Sequence, residues 1–107
     1  MKNRLSSVEK IRQQLLPVFK KYNVKQAILF GSYAKGEERE NSDVDILVDS
    51  NLKGLAFYGL LEEVVNALGK TVDLLDKRQI VNASKIYKEI SDSGVVIYGW
   101  KGQKSFR

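Results

Sequence analysis

Two aspartates one residue apart, Asp43 and Asp45, follow a Gly31-Ser32 pair in the stretch GSYAKGEERENSDVDILVDS, and a third, Asp73, lies in TVDLLD. Carboxylates this close repel one another, and nothing basic stands between the first two to offset the repulsion. Such a pair calls for a cation supplied from outside. The chain has no His and no Cys, which excludes thiol and Ser-His nucleophilic catalysis, imidazole acid–base work and the usual zinc sites. A metal here must be a hard cation held by oxygen. Mg²⁺ fits, because two carboxylates with phosphate oxygens and waters complete its octahedral shell. A second ion on the same carboxylates would give the two-metal arrangement, in which one ion lowers the pKa of an attacking hydroxyl and the other neutralises a leaving pyrophosphate. Asp73, contributed by a different segment, is the candidate for the nucleophile-side metal and for the hydroxyl proton. Gly31 permits close backbone approach at a turn, and the N–H groups after it, with the Ser32 hydroxyl, form a small cradle for β and γ phosphates.

Each piece alone has an ordinary reading. An Asp-x-Asp is more often an exposed loop edge, a lone aspartate a solvated turn residue, and a lone Gly-Ser a plain turn. Agreement of order, spacing and strand placement favours the chemical reading.

The elements that must position these residues follow from periodicity. DVDILV alternates with period two, placing Val44, Ile46 and Val48 on one face of a strand and Asp43, Asp45 and Leu47 on the other, so the two carboxylates point the same way. QAILF, ending at Gly31, reads as a buried strand, SYAKGEE as a short helical turn or loop, and ERENS as an exposed loop. SSVEKIRQQLLPVFKKY opens with the Ser6-x-x-Glu9 pattern of a capping box and puts Val8, Ile11, Leu15 and Val18/Phe19 on one helical face. Pro17 predicts a kink there or a division into two pieces. LAFYGLLEEVVNALG carries Leu55, Tyr58, Leu61/Glu62, Val65 and Leu68 at helical spacing and stops at Gly69. KTVDLLD is a strand with Asp73 opposite Val72 and Leu74, ASKIYKEISDSG a last helix ending at Gly94, and VVIYGW a final strand. The order of helix, strand, strand, helix, strand, helix, strand predicts a mixed α/β (α+β) sheet domain. If the strands of Asp45 and Asp73 are neighbours, the three carboxylates form one cluster.

At 107 residues the expectation is a single domain, residues 1–107, with 101–107 a frayed tail, and no separate substrate domain. A hydrophobic fraction of 43% and a charged fraction of 29% are those of a globular protein. No apolar run reaches the roughly 20 residues of a membrane span, and MKNRLSSVEK lacks a signal-peptide core, which predicts a cytoplasmic protein without a membrane partner. Lys and Arg outnumber Asp and Glu by 18 to 13, for a net charge of +5. That charge attracts nucleotides, RNA or an acidic protein, although scattered basic residues serve solubility equally well. The aromatics Phe57, Tyr58, Tyr87, Tyr98 and Trp100 are read as core and rim packing, with no base-binding role.

GSYAKGEERENSDVDILV closely resembles the active-site motif of the polymerase-beta nucleotidyltransferase superfamily, specifically its minimal nucleotidyltransferases of bacteria and archaea. The family pattern is Gly-Ser, ten residues, then Asp-x-Asp, and positions 33–42 are those ten. An Ala-Arg-Gly commonly follows the Gly-Ser, and a Ser commonly precedes the first Asp; this chain has Ala34-Lys35-Gly36 and Ser42. TVDLLD matches the family's third aspartate at Asp73, and GVVIYG its end, so the resemblance runs from about Gln26 to Gly99. It implies a nucleotidyltransferase fold, Mg²⁺-ATP binding, and attack by a hydroxyl on the α-phosphate with release of pyrophosphate. By position, Asp43, Asp45 and Asp73 correspond to the metal-binding triad, and Gly31 and Ser32 to the triphosphate-binding turn. Lys35 stands where arginine is usual, keeping the charge without the bidentate fork.

Members this small resemble the antitoxin halves of two-gene modules whose partner is a HEPN-domain ribonuclease. That resemblance implies a protein adenylyltransferase that moves AMP from ATP to a tyrosine of the HEPN partner. Two alternatives stand beside it: a non-catalytic module that inhibits its partner by occlusion, and a small-molecule nucleotidyltransferase of the antibiotic-modifying kind, as a homodimer with its acceptor site between subunits. No helix-hairpin or basic duplex groove is evident, which argues against template-directed polymerisation and direct nucleic-acid binding.

Overall fold

The computed structural model describes residues 7–80 and 84–99. The Ser6 end of the expected capping box, Trp100 and the tail 101–107 lie outside the described residues. Helix α1 spans Ser7–Lys21, strand β1 Gln26–Phe30, the single-turn helix α2 Ser32–Lys35, β2 Val44–Asp49, α3 Leu55–Leu68, β3 Val72–Asp76, α4 Ser84–Ser93 and β4 Val95–Tyr98, with a 3₁₀ turn at Lys77–Gln79. The strands form one sheet in the order β3-β2-β1-β4. β1 pairs antiparallel with both β2 and β4, while β2 and β3 run parallel. A parallel pair needs a crossover, and α3 supplies it. This is the mixed sheet flanked by helices that the periodicity predicts.

Both faces of the sheet are covered. On one, Ala27, Leu29, Val44, Ile46, Val48, Leu74 and Ile97 pack against Ile11, Leu15, Val18 and Phe19 of α1 and Leu60, Val64 and Leu68 of α3. On the other, Ile28, Phe30 and Leu47 meet Ile90 of α4, with Leu75, Ile86 and Val96 packed around them. The strict alternation in β2 therefore separates two cores, and Leu47, on the aspartate side, is as buried as its neighbours.

Of the two readings at Pro17 the division into two pieces falls, because helix α1 is one continuous element with Pro17 inside it. Pro17 and Gln13, whose carbonyl loses its helical donor there, are both exposed, so water can satisfy that carbonyl while Leu15, Val18 and Phe19 anchor both halves. The apolar face of α3 is also rotated from the expected stripe. Leu55 and Tyr58 are exposed, at 88% and 62%, and the core side runs through Leu60, Val64 and Leu68 with Phe57, Leu61 and Ala67 beside it. A helix apolar almost all round offers two stripes, and packing against α1 selects one. Tyr58 and the half-exposed Tyr87 are surface aromatics, whereas Phe57 and Tyr98 pack against the larger core. Gly69 ends α3 as expected, in the left-handed conformation with its N–H on the Val65 carbonyl.

Candidate active site

Register brings the acids together. Asp45 is directly opposite Asp73 in the parallel β2–β3 pair and opposite Phe30 in the antiparallel β1–β2 pair. By alternation Asp45 and Asp73 stand on the sheet face covered by α4. Asp43 lies one residue before β2, at the end of a turn in which the Ser42 hydroxyl accepts from Arg39 N–H (2.8 Å) and Ser42 N–H donates to the Arg39 carbonyl (3.0 Å). The Val44 N–H then donates to the Thr71 carbonyl (2.9 Å), which fixes the start of β2 beside the start of β3.

Gly31 follows Phe30, the cross-strand partner of Asp45, so the glycine backbone lies against the aspartate side chain. A Cβ built on Gly31 would fall onto the Asp45 carboxylate, and Gly31 has φ +75°. Both facts require glycine here. The carbonyl of Gly31 accepts from Ala34 and Lys35 N–H (3.1 and 3.2 Å), closing α2, and no side chain caps its start. The sequence-predicted residues Gly31, Ser32, Asp43, Asp45 and Asp73 therefore meet at one end of the sheet.

The electrostatics match that grouping. Burial, then the charges of Asp73, Asp43 and Glu89, push the Asp45 carboxyl up to about 6. Among the described residues, no three acids are gathered closely enough to chelate an ion as they are placed, which like charges without a cation between them would favour. The donor set is hard carboxylate oxygen, and its mutual repulsion is what a divalent cation relieves, so the residues fit Mg²⁺ chemically.

Glu89 is the acidic neighbour that the sequence reading missed. It lies on α4, distant along the chain from the Gly-Ser and Asp-x-Asp signals, and its Oε2 is 3.9 Å from the Lys35 Nζ. The usable signal was helical spacing, since Glu89 borders the Ile86–Ile90 stripe that seats α4 on the aspartate face.

A four-stranded mixed sheet with acids on adjacent parallel strands beside a glycine turn is a nucleotidyltransferase architecture. The sequence profile described as Polymerase beta, Nucleotidyltransferase matches residues 13–102, and the chain belongs to that family, in its minimal branch. A chain of Methanocaldococcus jannaschii provisionally named a protein adenylyltransferase is 38% identical over 77 residues, spanning 69% of this chain and 82% of that one. Protein adenylyltransferase MntA of Thermococcus cleftensis is 39% identical over 74 residues, spanning 65% and 75%. Among solved structures, a chain of a toxin–antitoxin crystallised with AMP-PNP superposes with a TM-score of 0.71 at 26% identity, covering 84% of this chain and 74% of that chain. The protein is thus an enzyme of the nucleotidyltransferase class. Among the described residues no helix is long and apolar enough to cross a membrane.

Proposed function

We propose that the protein transfers AMP from ATP to a tyrosine hydroxyl of a HEPN-type ribonuclease and so acts as its antitoxin. The observation that carries this reading is the register of Asp45 against Asp73 with Gly31 packed on the Asp45 carboxylate. The names of its relatives support the acceptor class: one is a protein adenylyltransferase, and the superposed chain comes from a toxin–antitoxin with a bound ATP analogue.

In this reading Asp43, Asp45 and Asp73 hold one or two Mg²⁺ ions. Bound there, Mg²⁺ would withdraw charge from the α-phosphate and neutralise the leaving pyrophosphate. The N–H groups that open α2 and the Ser32 hydroxyl receive the β and γ phosphates. Asp73 is exposed and lies on an edge strand, so an acceptor on a second protein can reach it. The acceptor oxygen bonds to the α-phosphorus, the bond to the bridging oxygen breaks, pyrophosphate departs, and the hydroxyl proton passes to Asp73.

The test is transfer from ATP labelled in its α-phosphate, with Mg²⁺, to the product of the adjacent gene, with Asp45→Asn run in parallel. The expected result is a labelled partner band from the native chain and none from the variant. An unlabelled partner that the native chain nevertheless binds and inhibits would overturn the catalytic reading in favour of occlusion.

A further inference from the structure

Glu89 belongs to none of the motifs that define the site, yet three observations tie it there. Its helix seats Ile86 and Ile90 on the sheet face that carries Asp45 and Asp73. Its carboxylate stands 3.9 Å from the Lys35 ammonium. Lys35 is carried on the single turn after Gly31, held by its own N–H on the Gly31 carbonyl (3.2 Å). The side chains of the pair are 41% and 38% exposed, so the ammonium is open to an arriving anion. A polyphosphate settling on the Gly31 turn would offer Lys35 several negative charges where Glu89 offers one.

We infer that Glu89 is a positioning residue of the nucleotide site: it holds the Lys35 ammonium before nucleotide binds and competes with the β and γ phosphates for it. The inference rests on the nucleotidyl-transfer reading above. Nucleotide entry then exchanges one ion pair for another and releases the tie between α2 and α4. The cost of that exchange is the strength of an exposed ion pair, so its effect on affinity is small and salt-dependent.

The experiment measures equilibrium binding of ATP, pyrophosphate and AMP, each with Mg²⁺, to the native chain and to Glu89→Gln, Lys35→Met and the double variant. Melting temperatures confirm that each is folded. Glu89→Gln is expected to bind ATP and pyrophosphate about two- to fivefold tighter, with AMP unchanged and the gain reduced in high salt. In the Lys35→Met background the gain should vanish, and in turnover it should appear in KM for ATP rather than in kcat. Unchanged ATP affinity in Glu89→Gln would overturn the inference. So would a gain that survives without Lys35, or weaker binding with a raised Mg²⁺ requirement, which would make Glu89 a metal ligand. Failure of the native chain to bind ATP at all would overturn the reading of the site together with this inference.

Discussion

Burial and the facing carboxylates of Asp73 and Asp43 push the Asp45 carboxyl from its ordinary 3.8 to about 6, so near neutral pH the folded chain carries a charge that the unfolded chain would carry more easily. A carboxyl whose pKa is raised by folding favours the fold fully below its unfolded value and loses that contribution as pH rises through its folded value. Between about pH 4 and 6 the metal-free protein should therefore lose stability through this group. Asp45→Asn cannot ionise, so in EDTA at neutral pH it should melt above the native chain, and the difference should close toward pH 4. Thermal melts across that range check it; a native chain that melts higher at neutral pH would sink the account. Asp45 itself was legible in the sequence, because period-two alternation fixes which way two aspartates point. Glu89 was not. Helical spacing puts it beside the Ile86–Ile90 stripe, but where α4 lands across the sheet is decided by long-range packing.

Strand β3 holds two aspartates in opposite surroundings. Asp73, at its start, is exposed and faces Asp45. Asp76, at its end, is 4% exposed and accepts from the Ser50 hydroxyl (2.6 Å) and Arg78 N–H (3.0 Å), while its own N–H donates to Gln79 Oε1 (2.8 Å). Arg78 also donates to the Leu52 carbonyl (2.8 Å), which binds the loop before α3 to the turn after β3. Asp76→Ala would strand these donors and should cost about 1–3 kcal/mol of stability, with AMP transfer intact below the melting transition. Asp73→Asn should leave stability within about 0.5 kcal/mol and lower transfer by about a hundredfold or more. Denaturant melts and transfer rates on the two variants separate the roles, and the assignment fails if Asp73→Asn transfers normally. Element positions were readable from the sequence because the breakers are strong: Gly31, Gly69 and Gly94 each follow directly on the end of a strand or helix. The rotation of α3 was not, since LAFYGLLEEVVNAL offers more than one apolar stripe and only α1 decides between them.

Across the molecule, the sheet is sandwiched between the α1–α3 layer and α4, and Leu29 on β1 is fully buried at the centre of the larger core. Leu29→Ala should cost about 2–5 kcal/mol, a large share of the roughly 5–15 kcal/mol that holds a domain folded; a chemical melt showing less than about 1 kcal/mol would contradict this packing. The parallel β2–β3 pairing has a consequence in time. The β1–β2 hairpin is local in the chain and can bring Gly31 to Asp45 early, whereas Asp73 arrives only after the α3 crossover has closed, and long-range pairings of that kind form slowly. A chain still emerging from the ribosome would hold half of its acid pair while the other half had yet to be made, so competence at this site becomes a mark of completed folding.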